Sequence, residues 1–532
     1  MNIRKINIEL LARLFFIFFG LLYFFSQIVL LIGFSLTKIN CLIIAISSIV
    51  ISNFILKIKR FLFYNSISII VLLICFLLIN QYIDLTWDGQ AYHQEITLRL
   101  ADGWNPIKTK VSNIWVYHYP KSYETLGVFF YDLFGTVKAI KVTNIIFFII
   151  LFLYSNSYLK KHFNKKETII YSLIIAFNPV FLGQLTSNLI DGFLYAIVLI
   201  LVISYLNIKK KSNYRIDFFL AIVILINIKF TGLVFAFFIS AYILVNEYLI
   251  AKSRTIKIKE FIFLTILIIP FLYSPYIKNN YLEKGHPLYP VMGDNNFAFI
   301  DNYEPDIIKP YHRINKVLIS NFTTVTNRKE GELKIPFTFS IKELQRFRNG
   351  NPRLGSFGVW WSGILIFSIF FYAYYVYIHR KKFKLSNYEY IIAVIIFITL
   401  INKGGWWFRY TPFIWLIPLL LFLSIKRYQK SKKAEITFSL LVFINGLLTL
   451  SISFGAIYLD TKRFEKKLLN LKSKNINSLK IDFGAFYGNK TLLKEYDISY
   501  VEAKKETFKE IIMFNSEVAM DTISEKKNTL ND

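Results

Sequence analysis

Phe61-Leu-Phe-Tyr-Asn-Ser-Ile-Ser-Ile-Ile-Val-Leu-Leu-Ile-Cys-Phe-Leu-Leu-Ile-Asn80 runs, through Gln81, into Tyr82-Ile-Asp-Leu-Thr-Trp-Asp-Gly-Gln-Ala-Tyr-His-Gln-Glu95. The first half carries no charged side chain and has the roughly 20 residues a helix needs to cross a bilayer. The second half sets out Asp84, Asp88, His93 and Glu95 within a dozen residues. A membrane surface is therefore expected between the two, and ionisable groups at such depth usually mark function.

Working outward, similar apolar blocks recur along the whole chain of 532 residues, 55% of them hydrophobic and 18% aromatic. They fall at about 11–35, 40–56, 61–80, 139–157, 167–184, 189–207, 216–228, 230–249, 259–277, 358–378, 387–402, 406–425 and 435–458. The fold class expected is an all-α polytopic membrane protein of about 13 transmembrane helices. Asn227-Ile-Lys-Phe-Thr-Gly232 interrupts one apolar run and reads as a tight hairpin or a broken helix. Met1-Asn-Ile-Arg-Lys5 precedes an apolar stretch longer than a signal-peptide core, so a retained first helix is expected.

The net charge of +29 comes from 63 Lys and Arg against 34 Asp and Glu. The basic residues cluster between apolar blocks, at 57–60, 160–166, 209–215, 252–259, 380–384 and 426–433. Topology explains that pattern better than nucleic-acid binding does, because Lys and Arg accumulate in cytoplasmic loops. Placing the N-terminus in the cytoplasm puts every one of these runs inside. The long loops 81–138 and 278–357, and a small polar tail at 459–532, then lie outside. Residues 1–458 thus form a transmembrane module. Within the tail, 481–487 suggests a short strand and turn, with a frayed end after about Ser524. Cys41 and Cys75, the two cysteines, sit inside apolar blocks, so neither a disulfide framework nor a metal site is expected from them. Walker A and Rossmann glycine motifs are lacking, which removes the usual nucleotide-binding signatures.

Ala91 to Ala101 reads as a short helix ended by Gly103 and Pro106. Asp88 then falls at or just before its start, where the helix dipole keeps a carboxylate ionised. Such a carboxylate can accept a proton from a hydroxyl or hold a divalent cation beside a phosphate. Asp84 stands four residues earlier as its competitor. Other charged groups reach the same membrane face: Asp191 opening an apolar helix, Lys229 in the interrupted run, Lys278 and His286 at the start of the second loop, and Arg409 in Gly404-Gly-Trp-Trp-Phe-Arg-Tyr-Thr-Pro412. Each has an ordinary explanation. Asp88 and Asp191 suit helix N-caps, Lys229 a snorkelling lysine, Lys278 and His286 a solvated loop, and Arg409 an anchor in the aromatic belt. Together they offer carboxylates to activate a hydroxyl and cations to hold a lipid-linked phosphate.

The chain resembles the GT-C superfamily of polytopic glycosyltransferases, and within it the bacterial protein mannosyltransferase and aminoarabinose transferase group. The resemblance rests on Trp87-Asp88-Gly89-Gln90-Ala91-Tyr92-His93, Asn178-Pro179 leading to Asp191, Lys229-Phe-Thr-Gly232, Tyr276-Ile-Lys-Asn279 with Gly285-His-Pro-Leu-Tyr-Pro290, and Arg409-Tyr-Thr-Pro412, in that order across about residues 60–425. It implies a GT-C-like bundle in the cytoplasmic membrane, with the active site on its outer face. A sugar would pass from a polyprenyl-phosphate donor to a hydroxyl of a glycan, lipid or protein acceptor. Asp88, Asp84 and His93 are the implied catalytic residues. Tyr92, Glu95, Asp191, Lys229, Lys278, His286 and Arg409 are the implied substrate-binding residues. The sequence departs from the family in having two helices ahead of the one that leads into the loop, and in lacking a tight acidic pair, so no cofactor beyond a divalent cation is implied and its need is open. Two other functions fit a multi-span envelope protein. An O-antigen or capsule polymerase would rely on Arg346, Arg348 and Arg353, and a flippase for lipid-linked glycan would need polar groups at mid-membrane.

Overall fold

The structure, a computed structural model, describes residues 6–208, 211–250, 258–297, 299–347, 352–426, 431–473, 479–508 and 512–521. Parts of the basic runs at 209–215, 252–259 and 426–433 lie outside the described residues, as do Arg348 and the tail end after Ser524.

Among the described residues, nine helices are long and apolar enough to cross a membrane: Ile8–Leu31, Lys38–Leu56, Phe61–Ile79, Val137–Leu159, Asp191–Ile208, Phe230–Tyr248, Ile258–Leu282, Trp361–Ile378 and Lys432–Ser473. Shorter helices, Lys165–Ala176, Arg215–Leu225, Asn387–Ile401 and Pro412–Lys426, complete the bundle. The architecture is that of a multi-pass helical membrane protein, in which each span satisfies its own backbone. Lys38–Leu56 and Phe61–Ile79 turn large apolar side chains outward: Phe54 is 82% and Leu62 78% exposed. Such faces suit lipid rather than water.

Local chemistry explains where the helices break. Asn178 caps Pro179–Gln184, its side chain accepting from Val180 N at 3.0 Å and donating to the Pro412 carbonyl at 2.9 Å. The apolar block at 167–184 is therefore two helices. The interruption at Asn227–Lys229 joins Arg215–Leu225 to Phe230–Val245. Lys229 at one end meets Asp191, while Glu247 at the other accepts from the Tyr205 hydroxyl at 2.7 Å, so the segment turns back as a hairpin. Gly232 permits the turn, because an added Cβ would stand 2.2 Å from the Leu225 carbonyl oxygen. The broken backbone finds partners inside the protein, as it must at such depth. The Asn227 carbonyl accepts from Ser122 N, and its side chain donates to the Phe271 carbonyl.

Contacts sort the connections into two groups, one at each end of the bundle. At one end Glu9 joins Lys211 and Tyr214, Lys161 joins Asn207, Arg215 joins Glu260, and Lys426 joins Glu167 and Glu435. At the other, the stretch 81–138 gathers Asn188, Asn280, Glu283, Arg409 and Glu495. The loop 278–357 contributes short helices, Arg313–Ser320 and Ile341–Arg346 among them, to this second end.

Lys432–Ser473 continues unbroken past residue 458 into a small sheet. Its strands are β1 (Leu479–Asp482), β2 (Tyr500–Glu502), β3 (Ile512–Met513) and β4 (Ala519–Asp521), in the order β2-β1-β4-β3. β1 and β2 run parallel across the helix Gly488–Glu495, and β4 is antiparallel to both β1 and β3. The unit docks on the helix that follows Asp88. Asn489 donates to Gln90 at 3.1 Å, Arg99 lies over the Tyr487 ring at 4.5 Å, and Glu495 accepts from Val137 N at 2.6 Å.

Candidate active site

The site starts from a helix entered by a wide turn. Helix begins at Trp87, passes through a single π-type turn, Gly89–His93, and continues as Gln94–Ala101. π-bulges of this kind often mark functional positions. Gly89 lies against Asp84, whose Oδ2 would be 2.0 Å from an added Cβ. The turn thus brings Asp88 into the helix's first turn above a buried carboxylate.

Asp88 meets Arg409 there, Oδ2 to Nη2 at 2.9 Å. Arg409 Nε stands 3.0 Å from Asp191 Oδ2, and Asp191 also pairs with Lys229. Two carboxylates and two cations from four distant parts of the chain therefore form one neutral cluster. Asp191 and Lys229 are 0% and 4% exposed and Arg409 is 6% exposed, so each charge depends on the others. Asp191 is fixed further by Gln184, whose Nε2 donates to it at 2.9 Å while its Oε1 accepts from Gly192 N at 2.9 Å. Tyr410 lines the cations, its ring centre 4.7 Å from Lys229 Nζ and 5.3 Å from the Arg409 guanidinium carbon.

Tyr92, one turn after Asp88, opens an aromatic wall beside the charges. Its ring stacks on Trp115 at 5.9 Å and touches Tyr119 at 5.5 Å, and Tyr119 rests on Phe230 at 5.5 Å. Burial pushes the Tyr92 and Tyr119 phenols well above their ordinary pKa, and neighbouring Asp88 and Asp191 respectively add to the effect. Both remain hydrogen-bond donors at any physiological pH.

The remaining residues singled out in the sequence do not join this cluster. Asp84 is a bracket: Oδ1 accepts from Thr86 N at 2.9 Å and Thr86 Oγ1 at 2.7 Å, and Oδ2 accepts from Asn188 N at 2.7 Å. His93 pairs through Nδ1 with Glu124 in a fully buried contact. Glu95 is held by Arg99 at 2.7 Å and Asn113 at 2.8 Å. Lys278 is half-buried with no ion pair among the described residues. His286 Nδ1 accepts from Leu288 N at 3.1 Å within its own turn. Of the arginines in the second loop, Arg346 donates to the Val325 carbonyl and Arg353 lies over the Tyr303 ring at 4.7 Å.

Among the described residues no three His, Cys, Asp or Glu side chains come together as a metal site. Asp88 and Asp191 would be the nearest donors, but both face the Arg409 guanidinium, and the four charges already cancel. The set does not fit a divalent cation. A cleft of about 640 Å³, lined by Tyr311, Arg313, Lys403 and Trp406 among others, shares none of the four charged residues. Its Lys403 is occupied by Asp301 at 2.6 Å and its Lys316 by Glu304.

Gln184, Tyr119 and Tyr410 adjoin the cluster, although the sequence reading did not name them as site candidates. Tyr119 sits in the aromatic run Trp115-Val-Tyr-His-Tyr119, and that density of rings was the available signal. No model of a known protein family, no curated protein and no solved structure matches this chain.

Proposed function

We propose that the protein is a GT-C-like glycosyltransferase of the cytoplasmic membrane, moving a sugar from a polyprenyl-phosphate donor to an acceptor hydroxyl. The observation that carries this reading is the cluster Asp88–Arg409–Asp191–Lys229 beside the wall of Trp115, Tyr92 and Tyr119. Cations at a membrane boundary suit the phosphate of a lipid-linked donor, and a guanidinium suits it best because its fork matches two phosphate oxygens. Aromatic rings suit the apolar faces of a sugar. A carboxylate beside both suits a general base.

In the reaction proposed, the acceptor oxygen attacks the anomeric carbon of the donor sugar. The carbon–oxygen bond to phosphate breaks, and its electron pair leaves with the lipid phosphate. Asp88 takes the acceptor's proton, while Arg409 and Lys229 stabilise the charge gathering on the phosphate. Asp84 has both oxygens engaged in the backbone bracket, which favours Asp88 as the base. The layout proposed has about 13 spans, the N-terminus in the cytoplasm, and the cluster on the outer face, in keeping with the basic runs gathered at the opposite end. Cell-surface glycan synthesis is the process this placement serves.

Replacing Asp88 with Asn tests the reading. With membrane expression confirmed, mass spectrometry of surface glycans and lipid-linked intermediates should reveal loss of one sugar, with intermediates still reaching the outer face. An unaltered glycan would remove Asp88 from the chemistry, and intermediates trapped inside would point to a flippase instead.

A further inference from the structure

We infer that donor phosphate and Asp88 compete for Arg409, so that donor binding releases the base and the acceptor reacts only afterwards. This rests on the glycosyl-transfer reading above. The argument comes from an asymmetry between the two carboxylates that share the guanidinium.

Asp191 has three supports: Lys229, Gln184 Nε2 at 2.9 Å, and Arg409 Nε at 3.0 Å. Withdrawing Arg409 leaves it still neutralised by Lys229. Asp88 has one. Among the described residues its side chain bonds only to Arg409 Nη2, and that side chain is 13% exposed against 0% for Asp191. Withdrawing Arg409 therefore frees Asp88 and costs Asp191 little.

Arg409 is built to be withdrawn. Although its Nε lies 3.0 Å from Asp191, the N–H does not aim at the carboxylate, and among the described residues this buried donor has no hydrogen-bond partner. A buried unmet donor costs free energy until something accepts from it. A phosphate offers oxygens to Nε and Nη2 together and can form the bidentate pair that neither carboxylate forms now. Lys229 and Tyr410 stand beside the same guanidinium to receive the remaining phosphate charge.

The consequence is chemical order. While Asp88 Oδ2 accepts from Arg409 Nη2 at 2.9 Å, that oxygen is engaged and is not free to take the acceptor's proton. Once phosphate takes the guanidinium, that restraint goes and Asp88 can accept the acceptor's proton. An acceptor, or water, arriving at a donor-free site meets an inactive base.

The test uses the full-length protein in detergent micelles with farnesyl monophosphate as the probe, its binding measured by calorimetry. Asp88→Asn removes the competitor, so the probe should bind about tenfold tighter than to wild type, the scale of one charge-assisted bond. Asp88→Ala should do the same if the Asn variant folds poorly. In an Arg409→Gln background the gain from Asp88→Asn should vanish. Unchanged or weaker binding by both Asp88 variants overturns the competition, as does a gain that survives in Arg409→Gln. Wild-type protein that binds no probe overturns the glycosyl-transfer reading itself, and the competition with it.

Discussion

Asp84 and Asp88 are four residues apart and share a side-chain type, yet their surroundings differ. Asp84 spends its oxygens on the Thr86 and Asn188 amides, and Asp88 spends one on the Arg409 guanidinium. Gly89, with no Cβ, lets the turn lie directly against the Asp84 carboxylate. Replacing it with Ala would drive a Cβ to 2.0 Å from Asp84 Oδ2, so the bracket must open or the π-turn must unwind. Gly89→Ala is expected to cost about 2 kcal/mol or more of stability, the range typical of overpacked interiors. Thermal unfolding in detergent would measure it, and an unchanged melting temperature would mean that the turn gives way cheaply. At this scale the sequence was informative wherever a charge interrupts an apolar run, as for Asp191, Lys229 and Arg409. It was mute about Glu124, which sits in an ordinary amphipathic pattern, Ser122–Phe134, and becomes notable only through its pairing with His93.

Elements place these residues by joining at few points. The short helix Ile114–His118, which carries Trp115 into the aromatic wall, is tied to Tyr273–Leu282 through His118 Nδ1 and Asn280 Oδ1 at 2.9 Å. Asn280 returns the contact by donating to the His118 carbonyl at 3.2 Å. Burial is the main cause that pulls the His118 pKa below its ordinary value, against the Asn280 bond that raises it. The unfolded chain therefore binds this proton more readily than the folded one. Stability from this group is complete above its unfolded pKa and declines as pH falls below about 6.5. Melting temperature of the wild type should drop more steeply than that of His118→Gln between about pH 6.5 and the lower folded value. Parallel curves would mean that the imidazole titrates alike in both states. Helix existence was readable from apolar length, and breaks from Gly103 and the Asn227–Lys229 interruption, whereas the break at Asn178-Pro179 was passed over inside one apolar block. The sheet β2-β1-β4-β3 was hardly readable, because strands of two to four residues carry too little alternation to stand out.

For the whole molecule, the gathering of alternate connections at opposite ends agrees with the alternation of basic runs along the chain. That agreement was legible because charge bias needs no knowledge of packing. The four-residue cluster was only half legible: the sequence offered its members together with Lys278 and His286, and nothing in one dimension separates side chains that converge from those that stay on the rim. Orientation can be measured directly. Glu330→Cys, in the second long loop, should react with a membrane-impermeant maleimide on intact cells, whereas Lys165→Cys should react only after permeabilisation. The two native cysteines are buried and should stay silent. The reverse pattern would turn the molecule over.

The helix Lys432–Ser473 has 42 residues, and at 1.5 Å per residue it is about 63 Å long, twice the hydrocarbon thickness. It is also fastened well above its membrane portion. Thr461 Oγ1 accepts from Ile83 N at 2.9 Å, and Glu465 pairs with Lys138 at 3.0 Å, on either side in sequence of the helix that carries Asp88. A rod pinned in this way works as a spar: a tilt or shift of its apolar half is passed to Ile83 and Lys138, and so to the segment that carries Asp88.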